Sequence, residues 1–374
     1  GYSIDVMRGN VTPTHNLVGF FTYIAFFPQL VAGPIESARN LLPQILRKRQ
    51  WNTQRSVDGL RMILFGLLKK LCVADMLAIY VDRIFFAVDL SPLHVLTGGI
   101  LFSIQLYCDF SAYSEIARGC ASLLGIRLMV NFRFPLFSRN ILEFWRRWHI
   151  SLMLWFRDYV YIPLGGNRKG KWRTIINYTV VFLLSGLWHG AAWNFVFWGA
   201  YWTICYIIGN NLLRLQRRPE GSISLTHLPN IVLTFGVVAF GFYIFRCDNV
   251  PLIITGLKNM WIYLLFFPFL YLTLKGLILV MRGVKLNITI LAMTIVVLSV
   301  VMILAVGKGI YLLKFWWLLP ALMALAIEWS DRNSEYPFSI VPRRRYSRYL
   351  LYWMMGTFIV LSEPTQMSFI YFQF

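Results

Sequence analysis

The chain has 374 residues, of which 58% are hydrophobic and 17% aromatic, whereas only 14% are charged. With a mean hydropathy of +0.60 it has too little polar surface for a water-soluble globule of this size, so we predict an all-α, polytopic membrane protein. The formal net charge of +20 does not indicate a nucleic-acid partner, because the basic residues form short clusters between apolar runs, as in cytoplasmic loops of membrane proteins.

Prolines interrupt the first 56 residues, at Pro13, Pro28, Pro34 and Pro43. We predict short amphipathic or re-entrant helices here, because proline disrupts helix interiors. The chain starts at Gly1, without the charged segment and short apolar core of a signal peptide, so we expect it to begin inside a longer protein.

About nine apolar runs approach the length of a membrane-spanning helix, which needs about 20 residues. They are 59–85, 93–108, 174–190, 191–213, 230–245, 261–280, 288–306, 309–327 and 348–361. A transmembrane barrel would instead show short segments of alternating polarity, so helices are predicted.

Polar and charged residues become dense between 107 and 173, within an aromatic background. Ionisable groups are costly inside a membrane, so such a cluster predicts a functional site. We interpret 1–374 as one membrane domain and 107–205 as its catalytic motif region.

The sequence gives no sign of a metal or a bound cofactor. The five cysteines are scattered, with no CxxC pair and no histidine at ligand spacing. The His-Glu-x-x-His, Walker and Gly-x-Ser-x-Gly patterns are absent from the sequence as well. We predict neither a metal site nor a bound cofactor.

Two histidines lie in unusual surroundings. On a helix over 144–158, His149 falls between an aromatic face and a face with Arg146 and Arg157, which suits an interfacial anchor as well as a site. His189 has small neighbours, among them Gly186, that let a substrate or another helix approach. It fits a general base or a structural histidine, and the former is favoured.

Asp109 fits two roles, either orienting a histidine or a bound hydroxyl, or pairing with an arginine, and we favour the pairing. The basic cluster near residue 170 serves as a topology signal, with a second possible use in holding an anionic donor.

Several longer motifs carry a family resemblance. They are FFPQLVAGPI at 26–35, YCDFS at 107–111, FWRRWHISL at 144–152, YIPLGGNR at 161–168, SGLWHGA at 185–191 and FIYFQF at 369–374. Together they closely resemble the membrane-bound O-acyltransferases, in particular their bacterial alginate O-acetylation branch.

The resemblance implies a ring of membrane helices around a thin central floor, with re-entrant or interfacial helices. It implies acyl transfer from a cytoplasmic thioester, most simply acetyl-CoA, to an acceptor across the membrane. His189 matches the family's catalytic histidine and His149 its second motif histidine. Trp198-Gly199-Ala200-Tyr201-Trp202 lacks a further histidine that this branch often carries, and we expect the family's N-terminal spans to be missing.

We therefore predict an O-acyltransferase of the bacterial inner (cytoplasmic) membrane, acting on an extracytoplasmic polysaccharide. Expected partners are membrane lipids, an acyl-CoA or acyl-carrier donor and a secreted SGNH-type protein. The catalytic residues are His189 and His149. The substrate- or donor-binding residues are Arg146, Arg147, Trp148, Trp188, Asn194, Asp109, Arg168 and Lys169.

Other acceptors stay open within the family, namely teichoic acid, peptidoglycan or a lipid. A transporter that uses histidines as proton relays is the alternative from another class, but it predicts inverted repeats, which the sequence does not show. If the loops at 164–173 and 214–229 are both cytoplasmic, His189 lies near the far-side turn. A tilted or re-entrant hairpin would reconcile that position with a site deep in the membrane.

Overall fold

A computed structural model describes residues 1–30, 33–87, 91–215, 219, 221–281, 318–334 and 345–362. The described segments are helical, which confirms the predicted all-α class. The α-helices are α1 Tyr2–Met7, α2 Leu17–Ile24, α3 Ala38–Leu46, α4 Thr53–Leu67, α5 Asp75–Phe85, α6 Pro92–Leu123, α7 Ile141–Arg147, α8 Ile150–Phe156, α9 Gly170–His189, α10 Trp193–Ile207, α11 Leu228–Arg246, α12 Val250–Lys258, α13 Trp261–Met281, α14 Leu318–Asp331 and α15 Arg345–Leu361.

Three helical segments of the described chain are long and apolar enough to cross a membrane: Pro92–Leu123, Leu225–Arg246 and Trp261–Leu279. Each corresponds to a predicted run, although α6 extends well beyond the predicted 93–108. The predicted run at 288–306, the first part of the run at 309–327 (309–317) and the C-terminal motif at 369–374 lie outside the described residues.

The proline-rich start forms short helices, as predicted. Asn16 caps α2 by accepting a hydrogen bond from the backbone N–H of Gly19 at 2.8 Å, and α3 contains Pro43. The segment Phe27–Gln29 forms a single 3₁₀ turn.

The predicted run at 59–85 is helical throughout but not uniform. Between α4 and α5, Leu68–Ala74 adopts π-helical geometry, which is often found at functional or strained positions. The widened turn contains Lys69 and Lys70, and both side chains form ion pairs with α6.

Lys69 is fully buried in this ion-pair network. Its Nζ atom lies 2.7 Å from Glu115 Oε1 and 3.1 Å from Glu328 Oε1, and it donates a hydrogen bond to Ser111 at 2.7 Å. The hydroxyl of Tyr107 donates to Glu328 at 2.9 Å. The cluster joins the π-helical segment, α6 and α14.

Aromatic side chains dominate the core around α7, α10 and α11. The ring of Phe144 stacks on Trp202 and Trp148, with centroids 5.7 and 5.5 Å apart. Trp148 also packs against Phe242 at 4.9 Å. This packing fixes α7, and therefore the start of the segment that carries His149.

Candidate active site

The helix predicted over 144–158 is interrupted at His149, so that prediction is wrong. The chain leaves α7 after Arg147 and enters α8 at Ile150. His149 has φ 44° and ψ 52°, a left-handed conformation that is uncommon for residues other than glycine. Such a conformation persists only where the surrounding contacts enforce it.

Asn131 provides the contacts that enforce the interruption. Its backbone carbonyl accepts a hydrogen bond from the N–H of Ile150 at 2.9 Å. Its side-chain Oδ1 atom accepts from the N–H and the hydroxyl of Ser151, at 3.2 and 2.9 Å. The Nδ2 atom of Asn131 donates to Ser114 of α6 at 3.3 Å, so the interruption is attached to the long central helix.

Asn131 also sets the protonation of His149. The Nδ1 atom of His149 lies 3.2 Å from the same Oδ1 atom. Because that oxygen already accepts from a backbone N–H, it is an acceptor here too, and Nδ1 carries the proton. The Nε2 atom is then the basic nitrogen. It is buried and has no hydrogen-bond partner among the residues that the structure describes.

The imidazole of His149 is enclosed by aromatic rings. Centroids of Phe110, Trp188 and Phe132 lie 4.7, 6.1 and 6.3 Å from its own. His149 lies outside the three candidate spans, and burial lowers its pKa well below the usual range, with the nearby His189 acting in the same direction. The ring is therefore neutral at physiological pH.

His189 is the last residue of α9 and lies next to the turn that leads into α10. Its ring is half-buried, with centroids of Phe245 and Trp198 at 5.0 and 5.5 Å. This placement agrees with the predicted position of His189 at a hairpin turn.

Trp188 connects the two histidines. Its ring centroid is 4.9 Å from that of His189 and 6.1 Å from that of His149. The indole is half exposed, so it lies between a buried imidazole and an accessible surface. The structure thus brings together the two histidines, 40 positions apart in sequence, through a residue that the motif also predicted.

The glycines near His189 serve helix packing. A Cβ atom at Gly186 would lie 2.2 Å from the carbonyl oxygen of Phe195, and one at Gly199 would lie 2.6 Å from that of Phe182. Of the two explanations for the small residues, the close approach of another helix is the one the structure shows at these two positions.

Two further predicted binding residues have structural contacts. The Nδ2 atom of Asn194 donates to the carbonyl oxygen of Phe245 at 2.8 Å, which ties the start of α10 to the end of α11. Trp148 is buried in the aromatic core. Its ring contacts that of Phe132, which in turn contacts His149.

Asp109 pairs with a lysine rather than with the arginine that we expected. Its Oδ1 atom lies 2.7 Å from Lys70 Nζ, which also lies 2.8 Å from Asp75. The π-helical segment before α5 makes this contact possible, because it points two consecutive lysines towards carboxylates. No sequence spacing indicated that pairing.

The predicted basic residues differ in their surroundings. Arg147 pairs with Glu143 at 2.8 Å and donates to the carbonyl of Arg133 at 3.0 Å. Arg146 is exposed, as are Arg168 and Lys169 in the turn before α9. Of the four, Arg147 has a clear role in holding the local fold.

Asn131 contacts His149 in this site, but the sequence pattern did not indicate a role for it. It stands in an Asn131-Phe132 pair 18 positions before His149, without a periodic pattern to connect the two. Among the described residues, no cluster of three or more His, Cys, Asp or Glu side chains is arranged to hold a metal ion.

Taken together, the fold and the site define a helical membrane protein in which two histidines share an aromatic setting beside a helix hairpin. The chain belongs to the MBOAT, membrane-bound O-acyltransferase family, whose model matches residues 11–254. The resemblance carried by the motifs is thereby confirmed.

Curated relatives with three kinds of name are similar to the chain. The chain is 41% identical over 248 residues to "Probable alginate O-acetylase AlgI" of Azotobacter vinelandii, covering 66% of this chain and 48% of the relative. It is 35% identical over 251 residues to the peptidoglycan O-acetyltransferase of Helicobacter pylori, covering 66% and 47%. It is 32% identical over 252 residues to the teichoic acid D-alanyltransferase of Bacillus subtilis, covering 62% and 61%. The chain spans about half the length of the alginate O-acetylases that it matches.

Proposed function

We propose that the chain is the acyl-transferring part of a membrane O-acetyltransferase that modifies hydroxyls of an extracytoplasmic polysaccharide. Membership of the MBOAT family and the five alginate O-acetylases at 39–41% identity support this proposal. The observation that carries it is the contact of Trp188 with both motif histidines, since this gives one accessible and one buried imidazole at the same place.

His189 acts as the general base in this proposal. It takes the proton from the acceptor hydroxyl as the oxygen attacks the carbonyl of a cytoplasmic acyl thioester, most simply acetyl-CoA. The new C–O bond forms, the C–S bond breaks, and the thiolate receives the proton from the imidazolium. Proton transfer by a positioned side chain typically contributes about 10² to 10⁴ in rate.

His149 positions a reactant. Its Nδ1–H is directed at Asn131, so Nε2 offers a lone pair and accepts a hydrogen bond from an N–H or O–H of the donor or the acceptor. In this tautomer a neutral His149 has no proton on Nε2 for a leaving thiolate. Guiding the donor therefore fits the geometry of His149 better than protonating the leaving thiolate does.

The exposed turn before α9 is the proposed contact for the donor's phosphates. Arg168 and Lys169 stand there without burial, and arginine forms paired hydrogen bonds with phosphate oxygens. Trp188 contacts the same reactants, because its half-exposed indole adjoins both imidazoles.

An extracytoplasmic acceptor implies a multi-pass protein of the cytoplasmic membrane and a secreted SGNH-type partner that passes the acetyl group on. The relatives named for peptidoglycan and teichoic acid favour a second candidate, in which one of these cell-wall polymers replaces the exopolysaccharide.

The test uses membrane vesicles that contain the full chain and its secreted SGNH-type partner, with radiolabelled acetyl-CoA supplied on the cytoplasmic face and soluble alginate, peptidoglycan fragments or teichoic acid on the other. We expect His189→Ala to lower labelling of the preferred polymer by about 10² or more. His15→Ala is the matched control, because His15 is exposed in the segment before α2. Thermal unfolding in detergent verifies that both variants fold.

Undiminished transfer by His189→Ala would refute the role of His189 as the base. Labelling of teichoic acid or peptidoglycan in preference to alginate would select the second candidate acceptor. If the wild-type chain with its partner labels no polymer and consumes no acetyl-CoA, the acyltransferase proposal is wrong.

A further inference from the structure

A cavity of about 350 Å³ lies between the α7–α8 segment and the α9–α10 hairpin, apart from the two histidines. Its lining includes Trp145, Leu154, Val181 and Phe182, and two arginines, Arg146 and Arg157, also belong to it. Neither histidine lines it. The cavity therefore combines apolar walls with two cations, and this combination suits an amphiphilic anion.

The inner wall is a continuous series of aromatic rings. Trp145 contacts Phe182 with centroids 5.3 Å apart, and Phe182 contacts Tyr206 at 5.5 Å. Tyr206 contacts Tyr178 at 4.6 Å, and Tyr178 stacks on Tyr161 at 5.0 Å. Fixed rings of this kind form a preformed surface that an alkyl chain covers without ordering the protein.

The two arginines are at the solvent-accessible side of the cavity. Arg146 is an exposed residue in the last turn of α7, and Arg157 is exposed directly after the end of α8. Arg157 pairs with the adjacent Asp158 at 2.6 Å, but both side chains are about half exposed, and exposed ion pairs contribute little. A phosphate can therefore replace Asp158 as the partner of Arg157 at small cost.

The surroundings favour a lipid as the source of that phosphate. Apolar side chains on the outer surfaces of α9 and α10 are exposed, among them Ile176, Leu184 and Ile204. In a membrane protein, such surfaces contact lipid. The basic segment at 168–173 comprises the end of the turn before α9 and the first residues of that helix, and clusters of this kind attract anionic headgroups.

We propose that this cavity binds one anionic phospholipid, with its phosphate at Arg146 and Arg157 and an acyl chain along the Trp145–Phe182–Tyr206 wall. The thioester donor also carries phosphates and a long arm, so it is the other ligand that could occupy the cavity. The pantetheine arm of that donor carries amide groups that an apolar wall leaves unpaired, and this disfavours it. The proposal assigns Arg146 to lipid rather than to the donor.

The test is native mass spectrometry of the full chain released from nanodiscs of phosphatidylcholine with a minority of phosphatidylglycerol. We expect one retained phosphatidylglycerol. Arg157→Ala should lower its occupancy about tenfold, the loss expected for one charge-assisted hydrogen bond. Leu154→Trp, which fills the cavity and keeps the charge, should lower it as well. Arg83→Ala removes an exposed arginine of α5 that neither lines the cavity nor belongs to the basic segment at 168–173, and should retain the lipid.

Equal retention in all four proteins, or no retained lipid in the wild-type chain, would overturn the proposal. So would displacement of the lipid by coenzyme A that depends on Arg157, because the site would then belong to the donor. The measurement needs no acyl transfer. A failed lipid site therefore leaves the proposed acetyltransferase standing, and a chain inactive in transfer can still show the lipid site.

Discussion

The Nδ1 atom of His149 lies 3.2 Å from Oδ1 of Asn131, an oxygen that also accepts hydrogen bonds from the backbone N–H and the hydroxyl of Ser151. One amide oxygen thus determines both the tautomer of the imidazole and the start of α8. The left-handed backbone at His149 is held on both sides, because the N–H of Ile150 donates to the carbonyl of Asn131 and the carbonyl of Arg147 accepts from the N–H of Arg133.

Asn131→Ala should impair both stability and transfer. The substitution leaves the buried N–H of Ser151 without its side-chain acceptor and frees the imidazole of His149 to rotate or change tautomer. Leaving a buried donor unsatisfied costs about 1–3 kcal/mol, and losing the residue that orients a functional histidine typically costs about tenfold or more in activity. Thermal unfolding and the initial rate of acetyl transfer measure the two effects.

Ser114→Ala is the matched control for that experiment, because it removes only the 3.3 Å hydrogen bond from Asn131 Nδ2 and keeps the Oδ1 contacts. It should reduce transfer far less than Asn131→Ala. Equal rates in the two variants would show that the orientation of His149 does not depend on Oδ1.

Lys69→Met should destabilise the fold strongly. The substitution leaves the carboxylates of Glu115 and Glu328 buried without their cation, and breaking a buried pair on one side costs about 3–5 kcal/mol. The unfolding temperature in detergent measures this cost. Adding Glu115→Gln and Glu328→Gln to Lys69→Met should recover most of it, since the remaining groups are neutral. A single variant as stable as the wild type would contradict the assignment of these ion pairs.

Glu143→Gln should show a pH-dependent loss of stability. Burial alone would raise the pKa of Glu143, but the hydrogen bonds from Arg139 and the charge of Arg147 outweigh it and hold that pKa below its ordinary value of 4.5. A carboxyl whose pKa is lower in the folded than in the unfolded protein stabilises the fold at pH values above its unfolded-state pKa. That stabilisation disappears as the pH falls through its folded-state pKa.

The variant should therefore unfold at a lower temperature than the wild type at pH 7, and the difference should narrow as the pH falls below 4.5. Asp158→Asn is the control, since the ion pair that Asp158 forms among the described residues is with its exposed neighbour Arg157. If the difference in unfolding temperature between Glu143→Gln and the wild type stayed constant from pH 7 downwards, Glu143 would not be ionised in the folded protein.

Hydropathy predicted the helices, because burial in a membrane imposes long apolar runs. The contiguous motifs singled out the two histidines, whose rings the structure places on either side of Trp188. They did not predict the interruption at His149. The residues from Phe144 to Phe156 have a helical pattern throughout, and the contacts that override it come from Asn131, which is distant in sequence.

The partner of Asp109 could not be predicted from the sequence for a similar reason. A carboxylate in an apolar helix predicts a cationic partner, but local spacing does not reveal which one. The partner is Lys70 because a π-helical turn rotates it towards α6, and such turns depend on packing rather than on a sequence signal.

Gly186→Ala tests whether the hairpin packing positions His189. A Cβ atom at Gly186 would overlap the carbonyl oxygen of Phe195, so α9 and α10 must separate, at a typical cost of about 1–3 kcal/mol. His189 lies one helical turn further along α9, so its contacts with Phe245 and Trp198 should shift as well. We expect a lower unfolding temperature together with slower acetyl transfer.

Gly356→Ala is the matched control. Gly356 is a helical glycine of α15, and a Cβ atom there would meet nothing within 4 Å among the described residues. Because alanine favours helix more than glycine does, this variant should be as stable as the wild type or slightly more so, with unchanged transfer. If Gly186→Ala behaved like Gly356→Ala in both measurements, the close packing of α9 on α10 would not be what places His189 beside Trp198.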